Sequence, residues 1–289
     1  MDTRRGNKGQ PLMTLQKRLL AVFAHPDDET FGSGSTLARY VDEGVDIIVV
    51  CATQGEAGEV KAGSSTTPET LGTVRVAELR AALNVLGVQS LVLLGYRDSG
   101  MAGSEDNNNP SALINVPITE VVERLVRVIR KCRPDVVVTM DPSGGYGHPD
   151  HIRVAKLTTQ AFKAAGDFSF TSCNSEEPWS PSKLYYHVFP RSQMVRWFKY
   201  IQETYPSSDM AQLDPNTIGV LDEDITTVLD VSHYVDARIQ AAEQHRSQRS
   251  PFAILPRELT REVLRRDFWI RVEPPWDGGK VETDLFTGL

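Results

Sequence analysis

Leu19-Leu20-Ala21-Val22-Phe23-Ala24-His25-Pro26-Asp27-Asp28-Glu29 passes abruptly from an unbroken apolar run into a dense polar turn. An apolar run this short, ended by a turn signal, reads as a strand buried on both faces. Pro26 biases His25 away from helical dihedrals and favours a helix starting after it. The stretch therefore predicts strand, turn and helix in succession, with the chemistry-bearing side chains held in the turn.

Working outward, the pattern repeats. Apolar runs at 47–51, 91–94 and 136–138 read as further buried strands. Helical patterns separate them at 31–43, 70–86, 118–131 and 152–165. Gly44 and Gly87 stand where a helix ends in a left-handed residue. In the third helix Val121, Val122, Leu125, Val128 and Ile129 form one stripe. Short apolar strands alternating with amphipathic helices predict an α/β, Rossmann-like fold, a mostly parallel sheet with helices on both faces. The crossovers are expected to be right-handed, and ligands to sit beyond the carboxyl ends of the strands.

The second half is less regular. Residues 173–183 read as an exposed loop, 184–189 as a strand, and 267–272 as a late strand. Ser232 is a plausible N-cap for a helix running to about 248. The polar, basic residues 1–17 read as a flexible tail, with Met13 an alternative start, and 18–289 as a single domain with an irregular C-terminal portion.

The 289 residues carry 31 basic and 38 acidic side chains, a net charge of −7, which argues against a nucleic-acid or anionic-membrane partner. No apolar run is long enough for a transmembrane segment. Cys51, Cys132 and Cys173 are widely spaced and odd in number, which suits free thiols in a reducing, cytoplasmic setting. Cys51 reads as a small buried hydrophobe. A homo-oligomer is compatible with all of this.

Two strand ends carry matching clusters: His25-Pro26-Asp27-Asp28 after the first and His148-Pro149-Asp150-His151 after the fourth. In each, metal-binding types stand three apart around a proline, so one turn brings them to one point. Alone, the first cluster reads rather as an acidic helix start that offsets the helix dipole. Two such loops at strand ends change that reading. Together they offer two imidazoles and a carboxylate, the protein share of a catalytic zinc site, with an acid and an imidazole to spare. Spacing does not choose between His148 and His151 as ligand. No GxGxxG loop follows the first strand, which weighs against a non-catalytic, Rossmann-like sugar- or nucleotide-binding module. A phosphate-ester hydrolase would want more carboxylates and two metals.

AHPDDE followed much later by HPDH resembles the LmbE-like, or PIG-L, zinc deacetylase family over roughly the first 165 residues. The resemblance implies removal of an N-acetyl group from an N-acetylglucosamine-type amino sugar or its conjugate. It implies one Zn2+ per chain, with another divalent ion such as Fe2+ as the alternative, held by His25, Asp28 and His151. It implies Asp27 as general base and His148 as oxyanion stabiliser or proton donor. The loops 94–101 and 144–148 are similar to the mycothiol branch. That likeness implies that Arg75 and Asp98 contact the sugar or aglycone and that Tyr146 reaches the substrate carbonyl. Arg75 paired with Glu78 or Glu69, and Asp98 capping a turn, are the structural alternatives. Asp150 is expected either to hydrogen-bond His148 and set its tautomer or to cap a helix, and Glu29 to be a structural acid. The competing activity is an amidase on a thiol-sugar S-conjugate.

Overall fold

A computed structural model describes residues 16–289 apart from 61–65, 171–175, 208, 213, 251 and 253. Most of the expected tail, with Met13, and Cys173 lie outside the described residues. The expected alternation holds through the first half: β1 (Arg18–Phe23), α1 (Asp28–Asp42), β2 (Asp46–Thr53), α2 (Pro68–Leu86), β3 (Ser90–Tyr96), α3 (Ile118–Cys132), β4 (Val136–Met140), α4 (Pro149–Ala165) and β5 (Lys183–Val188). There follow α5 (Arg191–Thr204), β6 (Thr227–Asp230), α6 (Val235–Ala242), α7 (Arg257–Leu264) and β7 (Arg266–Glu273).

The seven strands form one sheet in the order β3-β2-β1-β4-β5-β7-β6. The first five are parallel; β7 runs antiparallel to β5, and β6 antiparallel to β7. Alternate residues of β1 face opposite cores, which is why its sequence is apolar throughout. Leu19, Ala21 and Phe23 join a core with residues of α1, α2 and α6, whereas Leu20 and Val22 join one with residues of α3 and α4. Each such buried Leu or Val contributes roughly 1.5–3 kcal/mol. A third cluster, Met194, Trp197, Phe198, Ile201 and Leu255, packs α5.

Two expectations are corrected. The helix starting near 232 is a 3-10 turn over Ser232–Tyr234 followed by α6, which stops at Ala242. Ser232 does not cap it; the Asp230 carboxylate accepts the Ser232 amide instead. Helices α1 and α4 begin at Asp28 and Pro149, a few residues before the expected starts, because the polar turn residues themselves make up the first helical turn. Among the described residues no helix is long and apolar enough to cross a membrane.

The strand order reverses direction between β1 and β4, so the loops after these neighbours part and leave a crevice. The register pairs Val22 with Thr139, bringing both strands to the crevice side by side. Thr139 Oγ1 donates to the Val22 carbonyl at 2.9 Å, and Thr53 donates to the Ala24 carbonyl from its amide at 2.9 Å and its hydroxyl at 3.0 Å. The strand end that delivers His25 is thereby pinned from both sides.

Candidate active site

His25 leaves β1 directly into this crevice, buried at 5% exposure. Its two ring nitrogens face two different sets of partners. Nδ1 lies 3.1 Å from His151 Nε2 and 3.6 Å from an Asp28 carboxylate oxygen, and His151 Nε2 lies 3.3 Å from the other Asp28 oxygen. Three donors about 2.1 Å from one ion at tetrahedral angles stand about 3.4 Å apart. The observed spacings bracket that value, with His25 meeting Asp28 Oδ2 and His151 meeting Oδ1. The ligand atoms of His25, His148 and His151 also lie within 4.8 Å of one another, as do those of His25, Asp98 and Asp150.

The other face of His25 is braced by acids. Nε2 is 3.2 Å from Asp150 Oδ2 and 3.4 Å from Asp98 Oδ1. Burial alone would lower the His25 pKa, but Asp98, Asp150 and Asp28 together raise it well above the usual histidine value. Asp98 is held below the ordinary carboxylate range: burial opposes this, but His25 and the Gly100 amide favour its charged form. Carboxylates behind a histidine in this way orient the ring and increase its basicity toward a metal. His151 is oriented by the Gly144 carbonyl, 3.2 Å from its Nδ1. Gly144 has φ 72°, and a Cβ there would meet Ile152 at 2.7 Å and the His148 carbonyl at 3.0 Å, so the loop that supplies this carbonyl requires glycine.

Asp27 occupies the N-cap of α1 with φ 125°, a region L residues rarely adopt. Its carboxylate accepts from Arg75 Nη2 at 3.0 Å. The same guanidinium donates to the Pro26 carbonyl at 2.7 Å and the Gly55 carbonyl at 2.9 Å. Burial pushes the Asp27 carboxyl up to about 6, with Arg75 opposing and Asp28 assisting. The pairing of Arg75 with Glu78 or Glu69 does not occur: Glu78 binds the Ser247 amide and hydroxyl, at 2.8 and 2.6 Å.

Arg75, at 4% exposure, and Asp98, at 3%, are turned onto Asp27 and His25. One expected contact is revised. The Asp150 carboxylate does not bond His148; Ser99 and His25 take it, with Ser99 donating from its amide at 2.9 Å and its hydroxyl at 2.5 Å. It is the Asp150 backbone amide that donates to His148 Nδ1, at 3.2 Å, making His148 the N-cap of α4. The tautomer is still set, by main chain: with Nδ1 accepting, neutral His148 carries its proton on Nε2. Burial and repulsion by His25 and His151 lower the His148 pKa to about 4, so the ring is neutral near pH 7. Tyr146 is 56% exposed, its ring edge-on to His151 at 5.4 Å between centroids.

Sequence reasoning placed Ser99 and Glu56 in pocket loops without these contacts and gave His245 no role. Glu56 accepts the Asp98 amide at 3.1 Å, and His245 contacts Glu29. Each is brought in by tertiary contact over tens to hundreds of residues, with no local spacing to signal it.

Residues 20–162 match the family model described as PIG-L, GlcNAc-PI de-N-acetylase. The 1D-myo-inositol 2-acetamido-2-deoxy-alpha-D-glucopyranoside deacetylase of Rhodococcus erythropolis is 39% identical to this chain, over 94% of it and 98% of the relative. The enzyme of that name from Streptomyces scabiei is 36% identical over 97% of this chain and 92% of the relative. The chain belongs to the PIG-L family. It is a deacetylase, a hydrolase of an amide bond, as these relatives are, and its histidine and aspartate cluster could hold a metal ion. Solved PIG-L-like structures support the fold. The N,N'-diacetylchitobiose deacetylase from Pyrococcus horikoshii superposes with a TM-score of 0.57 at 24% identity, over 84% of this chain and 72% of that one. The 4-carboxy-2-hydroxymuconate hydratase GalB from Pseudomonas putida superposes with a TM-score of 0.58 at 18% identity, over 90% of this chain and 98% of that one. The shared fold alone therefore does not select the reaction.

Proposed function

We propose that this chain is a zinc-dependent deacetylase that frees the glucosamine nitrogen of an N-acetylglucosaminyl-inositol-type conjugate, in the cytoplasm. The convergence of His25 Nδ1, His151 Nε2 and the Asp28 carboxylate beside the acid Asp27 carries the chemistry. The two relatives named above support the sugar. Imidazole nitrogens with one carboxylate suit zinc, whereas the Nε2 side of His25 offers only carboxylates, of which Asp150 is already bonded to Ser99. When bound, the ion supplies Lewis acidity that lowers the pKa of a water to about 7 and polarises the acyl oxygen.

The remaining work falls to side chains. Asp27, ionised above about pH 6, takes the proton of the attacking water. Arg75 keeps that carboxylate aimed and anionic. The Nε2 proton of His148 is the donor for the oxyanion, a contribution typically worth about 2.7–4 kcal/mol. Asp27, once protonated, returns the proton to the leaving amine. Tyr146, at the exposed rim, closes over the substrate carbonyl.

The test is released primary amine from a panel containing N-acetylglucosaminyl-inositol, N,N'-diacetylchitobiose and a thiol-sugar S-conjugate, with chelator and with metal restored. The proposal expects the inositol conjugate to be fastest, chelation to stop turnover and Zn2+ to restore it. Fastest turnover of the S-conjugate, or chelator-resistant turnover, overturns it.

A further inference from the structure

Glu29 lies at the base of the site, 1% exposed, with both carboxylate oxygens engaged. Oε2 accepts the backbone amide of Asp27 at 2.9 Å. Oε1 accepts the Thr30 hydroxyl at 2.5 Å and faces His245 Nε2 at 2.9 Å. His245 reaches this point across 216 residues of sequence, its side chain fully buried and its ring edge-on to Phe31 at 5.7 Å. A carboxylate out of water persists only when its lone pairs meet donors. Here one donor is the main chain of the very residue that holds φ 125°.

We infer that Glu29 and His245 form a positioning pair for Asp27, fixing its backbone so that its carboxylate meets the attacking water; this rests on the deacetylase reading above. The Asp27 carboxylate is held by Arg75 from the α2 side and its amide by Glu29 from below, two anchors on one strained residue. His245 keeps Glu29 in place by donating Nε2–H. The rest of His245 supplies no second tether: its buried Nδ1 has no hydrogen-bond partner among the described residues. A small rotation of Asp27 leaves His25, Asp28 and His151 untouched, so loss of the pair acts on turnover and not on the ion. The pair also explains why the less regular C-terminal half is part of the enzyme: it carries His245 to a site otherwise built before residue 152.

The experiment compares Glu29→Gln, His245→Leu and His245→Gln with the wild-type chain. Gln at 245 keeps an N–H donor toward Glu29, whereas Leu does not. Expected for Glu29→Gln and His245→Leu is a fall in kcat of about tenfold to hundredfold, the effect of a sub-ångström to ångström misplacement. KM and bound ion per chain stay within about twofold, and His245→Gln recovers most of the loss. Unchanged kcat, a loss tracking the loss of ion, or His245→Gln as impaired as His245→Leu overturns the inference. A second readout needs no turnover. In 15N-labelled protein the Asp27 amide proton, bonded to a carboxylate, is expected downfield and slow to exchange. It should move upfield in His245→Leu and Glu29→Gln but not in His245→Gln; an amide indifferent to all three removes the pair from its role. Should the wild-type chain release no amine from any acetylated sugar, the deacetylase reading fails on its own, and the amide measurement still decides the positioning.

Discussion

At Asp27 the conformational cost of a left-handed backbone, on the order of 1–3 kcal/mol, is balanced by three fixed groups: the Arg75 guanidinium, the Glu29 carboxylate and the amides of Thr30 and Phe31 that bond its carbonyl. Asp27→Asn keeps the shape and removes the basicity. It should retain the ion by elemental analysis and lose about 10²–10⁴ in kcat. The pH dependence follows from the sign of the Arg75 interaction. Arg75 lowers a carboxyl that burial has raised to about 6, and the working form is the anion. Turnover therefore falls as pH drops through this pKa, and a cation beside Asp27 pulls the limb lower still. Arg75→Gln removes one attraction, so the acidic limb of kcat/KM should move to higher pH; a limb that stays put or moves down contradicts the assignment. Gly55 belongs to the same arrangement: with φ 70° and a Cβ position overlapping the Arg75 guanidinium, Gly55→Ala should reproduce part of the Arg75→Gln profile.

At the scale of the element, α1 is broken at Ser33, whose φ of −137° is non-helical. The cause is an ion pair inserted into its hydrogen-bond ladder. The Thr36 amide, which would bond the Gly32 carbonyl in a regular helix, donates to Asp267 at 3.1 Å instead. Arg238 takes up the freed carbonyls of Thr30, Phe31 and Gly32 and pairs with Asp267 at 2.8 Å. Arg238→Met would leave Asp267 charged and buried, and should cost about 3–5 kcal/mol in urea unfolding, with part returned by adding Asp267→Asn. On β5, His187 is buried against Phe189 and Trp269, and burial lowers its pKa to about 4. Below the unfolded value of about 6.5 the unfolded chain binds a proton that the folded chain refuses. Stability should thus decline as pH falls from 6.5 toward 4, by on the order of 3 kcal/mol from this residue, and His187→Phe should flatten that part of the curve.

The first four strands were legible because each is an apolar run alternating with amphipathic helices; β5 was read as a strand without that frame. Helix α5, strand β6 and helix α7 were not. Strand β6 has four residues, and α5 follows Pro190 without a side-chain cap, so neither has a strong local signature. The metal-like loops were legible from spacing at the strand ends. The braces behind them were not: Ser99 on Asp150, Glu56 on Asp98 and His245 on Glu29 are choices of tertiary packing. That is also why the Asp150 carboxylate was expected on His148 and is found on Ser99 and His25.

Over the whole molecule, the candidate ligands come from two loops more than a hundred residues apart, so the unfolded chain has no comparable cluster. An ion that binds only the folded state stabilises it by about 2.7 kcal/mol at a hundred times its Kd. Chelation should therefore lower Tm as well as stop turnover, and His25→Ala should abolish the difference in Tm between chelated and metal-loaded protein. A Tm indifferent to chelator in the wild-type chain would mean that the cluster holds no ion in solution.

The placement of β4 between β1 and β5 also orders events in time. During synthesis the segment bearing His25 and Asp28 leaves the ribosome well before the one bearing His151, and domains tend to form from the N-terminus as they emerge. With the ion held by both loops, as proposed above, the nascent first half offers only part of the ligand set, and binding follows the arrival of residues 148–151.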